Sequence, residues 1–177
     1  MDIELFLVEL LVSIKNGSSI NHNLLSTNRN LFNDSSQFYE LLNIVLTAYK
    51  YRFVKTYSDE QRIDVIKALS RDISAISDLY QHHNCDPRLI VAYFEFVLAD
   101  RYYSDEFRTK TRNLVDVATQ SSNSAMQLIV ATRVMSTIIR CRLYGNEGFD
   151  SILEECAALS RSILDQQPSV PKFSLME

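Results

Sequence analysis

Glycine and proline are both scarce in this chain of 177 residues, which contains 3 of each. Folds rich in β-strands use these residues at their many turns, so their scarcity favours a helical protein. The three glycines, Gly17, Gly145 and Gly148, are too few and too dispersed to form a phosphate-binding or dinucleotide-binding loop. We therefore predict an all-α protein of about eight helices, without a glycine-rich nucleotide site.

Cysteine is also uncommon, and its pattern does not resemble a disulfide framework. Cys85, Cys141 and Cys156 are odd in number and widely spaced. Such a pattern is typical of reduced thiols in an intracellular protein. We predict that all three are buried small hydrophobic residues in a protein of the cytoplasm.

Histidine gives one cluster with metal-binding atoms, formed by His82, His83 and Cys85. A zinc site needs three or four ligands at defined spacing, and no nearby pair of histidines or cysteines completes this one. No glycine-rich elbow or oxyanion-forming loop accompanies Cys85 as a nucleophile either. We interpret the cluster as a solvated loop and predict no catalytic residue, no cofactor-binding residue and no metal ligand.

The charge balance excludes some partners. The chain has 18 basic and 22 acidic residues, a net charge of −4, with 46% apolar and 23% charged residues overall. This composition is typical of a globular protein, and the negative charge disfavours broad attachment to nucleic acid or to anionic membranes. We expect a single helical domain over residues 1–166.

The N-terminus carries a dense apolar stretch from Ile3 to Ile14, interrupted by Glu4 and Glu9. A signal peptide needs a basic start and an unbroken apolar centre, and a membrane span needs about 20 apolar residues. We therefore predict a helix over residues 2–16 that ends at Gly17, and no membrane span.

Apolar residues at spacings of three and four predict the other helices. We expect helices and a polar loop in residues 1–35, three helical hairpins in 36–166, and an irregular tail in 167–177 that contains Pro168 and Pro171. Ser58 and Gln61 form a capping-box pattern, and Asp86-Pro87 and Ser104-Asp105 are further helix starts. The first predicted hairpin pairs 36–57 with 58–80, and the second pairs a helix from 87 with one from 104 to about 120. The third pairs 124–144 with 149–166, and we expect Gly145 and Gly148 to terminate the helix over 124–144.

The predicted hairpins contain weak internal sequence repeats, since Leu-Ile-Val-Ala occurs at both 89–92 and 128–131. Such similarities are typical of stacked helical repeats. They are equally expected if the same favourable capping residues occur at several unrelated helix ends. The segments 7–20 and 144–157 together resemble the helix-glycine-helix pattern of cytosolic domains in secretion-platform (F-type) membrane proteins, whose membrane helices have no counterpart here. Residues 145–168 also resemble one tetratricopeptide-like hairpin.

Two features are candidates for recognition. Segments 49–57 and 101–112 interleave aromatic and basic residues. This pattern suits binding of single-stranded nucleic acid or of an acidic peptide. It is also typical of a helix whose aromatic residues face the core while its cations are solvated on the other face. The first and fifth predicted helices have more apolar residues than one buried stripe needs, which suits a partner helix or a homodimer. In the fifth, Tyr93, Phe94 and Phe96 lie on different sides, and we expect neighbouring hairpins to enclose them.

These observations predict a non-enzymatic adaptor or scaffold that binds another protein, with a homo-oligomer left open. One alternative, implied by the resemblance, is a cytosolic helical component of a secretion or pilus assembly platform. Another is a helical regulator that binds nucleic acid or a small ligand, although the charge disfavours nucleic acid. Fold class alone does not choose among them.

Overall fold

In a computed structural model, which describes residues 2–102 and 104–166, the described part of the chain is mainly helical. These residues contain eight α-helices, three short 3₁₀ segments and no strand, so the all-α prediction is confirmed. The helices are α1 (Ile3–Lys15), α2 (His22–Thr27), α3 (Ser35–Val54), α4 (Asp59–Leu79), α5 (Pro87–Tyr102), α6 (Phe107–Gln120), α7 (Ser124–Arg140) and α8 (Glu147–Asp165).

The chain divides into two compact units, Met1–Phe94 (unit 1) and Glu95–Glu177 (unit 2), and α5 runs across the boundary. Neighbouring helices pack on one another within each unit, as expected for an array of helical hairpins. The expectation of a single domain over residues 1–166 stays a prediction. The predicted tail over 167–177, with Pro168 and Pro171, lies outside the described residues.

In unit 1, α3 is the element on which α1 and α4 pack. The core of unit 1 contains an aromatic cluster, in which the ring centroid of Phe32 lies 5.5 Å from that of Phe6 and 6.3 Å from that of Tyr80. Phe38 lies 5.5 Å from Tyr80 as well. Phe32 comes from the short 3₁₀ segment Arg29–Phe32, so the polar passage between α1 and α3 is attached to the core by a large apolar side chain.

Helix ends in unit 1 are capped by side chains or by a left-handed residue, and one of the predicted caps has a different partner. Asp2 accepts a hydrogen bond from the backbone of Glu4, and Gly17 has the left-handed φ of 95° expected after α1. Ser58 accepts from the backbone of Gln61 at 3.2 Å. The Gln61 side chain, however, accepts from the backbone of Tyr57 at 2.8 Å, one residue earlier than a capping box predicts.

In unit 2, α6, α7 and α8 pack against one another, and the C-terminal half of α5 joins them. Rings lie along the middle of this core, with Phe107 5.5 Å from Phe96 and 5.9 Å from Phe149. The buried polar side chains of unit 2 are neutral, and Gln127 donates to the backbone oxygens of Ala118 and Ser121. Unit 2 therefore buries no charge among its described residues.

Two predicted helix ends in unit 2 were wrong. The helix predicted to continue to 144 ends at Arg140, because Arg142 takes a left-handed φ of 54°. Gly148 was expected to terminate that helix but lies in the first turn of α8, which Asn146 caps. The sequence 104–106 forms a 3₁₀ turn, so α6 starts only at Phe107.

The fifth helix is buried nearly all round, as its composition predicted. Its first half buries Leu89, Ile90, Ala92 and Phe94, its second half buries Phe96, Leu98 and Ala99, and Tyr93 is half-buried. None of its residues from 89 to 100 is fully exposed. The helix is a core element of the folded chain, as expected of a helix that neighbouring elements enclose.

Candidate functional site

The first helix has two apolar faces. Phe6, Leu7, Leu10 and Ile14 are buried on the face that packs on α3. Leu5, Val8 and Val12 recur at spacings of three and four, so they form a second stripe, which lies on the opposite side of the helix. The surplus apolar residues of α1 therefore form an exposed stripe, whereas those of α5 are buried or half-buried.

The C-terminal end of this stripe lies near the end of α3. Lys15 lies one turn beyond Val12, and its Nζ is 4.1 Å from the ring centroid of Tyr51. Val54 lies one turn beyond Tyr51 on α3. We call this surface the α1–α3 strip, and its members and exposed fractions are Leu5 (55%), Val8 (55%), Val12 (50%), Tyr51 (40%) and Val54 (47%).

The two ends of the α1–α3 strip carry opposite charges. On the Leu5 side of Val12, the exposed carboxylates are those of Asp2, Glu4 and Glu9. At the Tyr51 end, Lys15 and Lys55 place their ammonium groups 4.1 and 4.2 Å from the ring centroid. The Lys55 ammonium, with a smaller effect from Lys15, lowers the pKa of Tyr51 below its ordinary value.

The first recognition segment, 49–57, divides between core and surface. Tyr49 and Phe53 are buried, and Arg52 lies over the Tyr49 ring at 5.2 Å. Tyr51 contacts two lysines of its own chain, and Tyr57 is almost wholly exposed just after α3. The aromatic and basic residues of this segment therefore do not form one continuous stacking surface.

In the second recognition segment, 101–112, two of the cations are paired with carboxylates. Lys110 lies 2.8 Å from Glu95. Arg112 binds Asp116 at 2.7 Å and Glu155 on α8, and this guanidinium lowers the pKa of Glu155. Tyr103 lies outside the described residues. These pairs link unit 2 helices to one another and reduce the positive charge that a nucleic acid would meet.

Asp72 on α4 is a buried carboxylate that the sequence analysis missed. It is 0% exposed, and its Oδ2 accepts hydrogen bonds from the backbone of Ile20 at 3.1 Å and from the Tyr49 hydroxyl at 2.5 Å. Burial, together with the hydrogen bond to Asp72, raises the pKa of Tyr49. The signal was present in the sequence, because Asp72 occupies a core spacing between Leu69 and Ile76.

The residues around Asp72 attach the polar passage after α1 to α4. The Nε2 of His22 lies 4.0 Å from Oδ1 of Asp72, and Arg71 donates to the Ser19 hydroxyl at 2.9 Å. A cleft of about 450 Å³ lies between α2 and α4, with His22 and Asp78 on its walls. This arrangement holds residues 19–22 in place, so its clearest role is structural.

The His82, His83 and Cys85 cluster is not simply a solvated loop. His82 is exposed, but His83 is half-buried and stacks on Phe38 with 4.2 Å between ring centroids. Its Nε2 lies 3.3 Å from the backbone oxygen of Phe32. Among residues 2–102 and 104–166, no group of three histidine, cysteine or acidic side chains is arranged to hold a metal ion.

The three cysteines differ in environment, which corrects the prediction that all are buried. Cys156 is buried, Cys85 is half-buried, and Cys141 is exposed. Burial raises the pKa of both the Cys85 and the Cys156 thiols to about 11. At neutral pH these two groups are therefore protonated, which disfavours thiolate nucleophiles at both positions.

Comparison of the chain with protein-family models, with curated proteins and with solved structures gives no match. No helix in the described part of the chain is both long enough and apolar enough to cross a membrane. The functional argument therefore depends on the chain's own side chains, and the α1–α3 strip is one exposed apolar surface that core packing leaves unexplained.

Proposed function

We propose that this chain is a non-enzymatic helical adaptor or scaffold that binds another polypeptide through the α1–α3 strip. The observation that carries the proposal is the second apolar face of α1, formed by Leu5, Val8 and Val12 opposite the buried face. Apolar side chains on an exposed helix face favour contact with another protein surface, because their removal from water is favourable.

The chemistry of the other candidate groups supports a binding role over catalysis. Asp72 is engaged in holding Ile20 and Tyr49, and the thiols of the half-buried Cys85 and the buried Cys156 are protonated at neutral pH. A general base or nucleophile needs access to substrate and a pKa suited to its task. The unpaired cysteines are in keeping with a place in the cytoplasm, which is part of this proposal.

Binding to nucleic acid is less well supported than binding to protein. Lys15 and Lys55 lie on the ring of Tyr51, and Lys110 and Arg112 are paired with carboxylates of their own chain. A nucleic acid would have to displace these contacts to reach rings and cations. The net charge of −4 opposes it as well.

Site-specific photo-crosslinking in cells that express the full chain tests the proposal. A photoreactive amino acid at position 8 should give a covalent adduct with a second polypeptide, and the additional substitution Val12→Asp should remove that adduct. The matched control places the same group at position 129, because Ile129 is equally exposed on α7 of unit 2. Absence of any adduct specific to position 8 would overturn the proposed function.

A further inference from the structure

We propose that the polypeptide bound by the α1–α3 strip is a second copy of this chain, in an antiparallel arrangement around a two-fold axis. The inference rests on the proposed function, since it names the occupant of the same surface. It draws on the order of charges along the strip and on the order of its apolar side chains.

The charge order makes the strip complementary to itself in one orientation only. Asp2, Glu4 and Glu9 all precede Val12 on α1, whereas Lys15 and Lys55 lie beyond it, beside Tyr51. When a second copy is turned end to end, the acidic end of each chain faces the basic end of its partner. A parallel arrangement would bring like charges together. A two-fold axis repeats each contact, so opposite charges face each other at both ends of the antiparallel interface.

The apolar order agrees with the same arrangement. Leu5 and Val8 precede Val12 along α1, and Tyr51 lies beyond Val12, next to Lys15, with Val54 one turn further along α3. In the antiparallel dimer Val12 packs near its own counterpart, and the aliphatic half of each strip covers the half that contains Tyr51. The ring of Tyr51 is then packed among aliphatic side chains, and buried aromatic residues are enriched among those that contribute most to binding energy.

The charge pattern also distinguishes a second copy from an unrelated partner. A partner helix with charges of one sign would complement one end of the strip and repel the other. A second copy necessarily carries both signs in the required order, because it is the same surface. Charge complementarity therefore favours self-association over a uniformly basic or uniformly acidic partner.

Charge reversal at the two ends gives a direct test, with sedimentation velocity of the full chain over a range of concentrations as the measurement. The wild-type chain should form dimers as concentration rises. The variant Glu4→Lys/Glu9→Lys and the variant Lys15→Glu/Lys55→Glu should each have a dimer dissociation constant raised at least about tenfold, because like charges then face each other at both ends. An equimolar mixture of the two variants should restore dimers, all of them mixed.

A control variant separates local from general effects of charge. Asp64→Lys/Glu154→Lys makes the same change in net charge as Glu4→Lys/Glu9→Lys at exposed positions outside the strip, and it should dimerise like the wild-type chain. Circular dichroism of each variant verifies that its helices are formed. A wild-type chain that stays monomeric at every concentration overturns the inference, as does failure of the mixture to restore dimers.

The two proposals fail in different ways. If the purified chain is monomeric while position 8 still crosslinks to a different protein in cells, self-association is wrong and the adaptor function stands. If position 8 gives no adduct and the purified chain does not dimerise, both are wrong.

Discussion

Unit 1 and unit 2 treat their charged side chains in different ways. Unit 1 buries the carboxylate of Asp72 and uses it to hold a polar segment that lies 52 residues earlier in the chain. Unit 2 keeps its charges at the surface and pairs them, as in the contacts of Arg112 with Asp116 and Glu155. The difference follows from the connections, since unit 1 must attach the long polar passage after α1, whereas α6, α7 and α8 are joined by short turns.

The difference predicts that one carboxylate in unit 1 matters far more to stability than a matched carboxylate in unit 2. Asp72→Ala leaves the Ile20 amide and the Tyr49 hydroxyl buried without their acceptor, and it should lower the free energy of unfolding by about 3 kcal/mol. Asp116→Ala removes an exposed ion pair and should cost less than about 1 kcal/mol. Urea titration followed by circular dichroism measures both, and equal losses would contradict the contrast.

Glycine substitutions should sharpen the comparison by acting in opposite directions. Gly17→Ala in unit 1 places a side chain at a φ of 95°, so it should destabilise the chain by about 1 kcal/mol. Gly148→Ala in unit 2 lies inside the first turn of α8, where alanine favours the helix. The new Cβ meets only the guanidinium end of the exposed Arg108 side chain, which is free to swing away.

For Gly148→Ala we therefore expect a gain of about 0.5 kcal/mol in the free energy of unfolding. Thermal melts of both variants against the wild-type chain supply the measurement. A loss of stability in Gly148→Ala would show that Arg108 is held in place more firmly than its exposure indicates.

In the last comparison we expect no difference between the two units in the urea concentration at which they unfold. This comparison tests the single-domain prediction for residues 1–166. Cys85 in unit 1 and Cys156 in unit 2 are natural probes, because Cys85 is half-buried and Cys156 is buried, so both should react more slowly in the folded chain than in the unfolded one. In a Cys141→Ser background, we expect the two thiols to become reactive at the same urea concentration. Two separate midpoints would mean that the units unfold independently and form two domains.

The sequence predicted the helices better than it predicted the surfaces. Apolar spacing and caps such as Ser58 located the elements, because these signals are local in the chain. The end of α7 was misplaced because Arg142, a residue without a strong turn preference, adopts the left-handed conformation. Local sequence gives little warning of such a residue.

The candidate site was only half predictable for a related reason. The surplus apolar residues of α1 were visible in the sequence, but their junction with Tyr51 depends on how α1 packs on α3. The hydrogen bond between Asp72 and the backbone of Ile20 likewise joins residues far apart in the chain. Contacts of this kind follow from tertiary packing and have no local signature.

Hydrogen exchange at low and high protein concentration tests the central claim most directly, because it compares the two units in one experiment. The account predicts that amides of residues 3–15 and 50–57 exchange more slowly at high concentration, since a second copy covers the α1–α3 strip. Amides of α7, where Ile129 is exposed, should show no such change. Slowing confined to α7 and α8, or no slowing anywhere, would contradict the assignment of the strip as the binding surface.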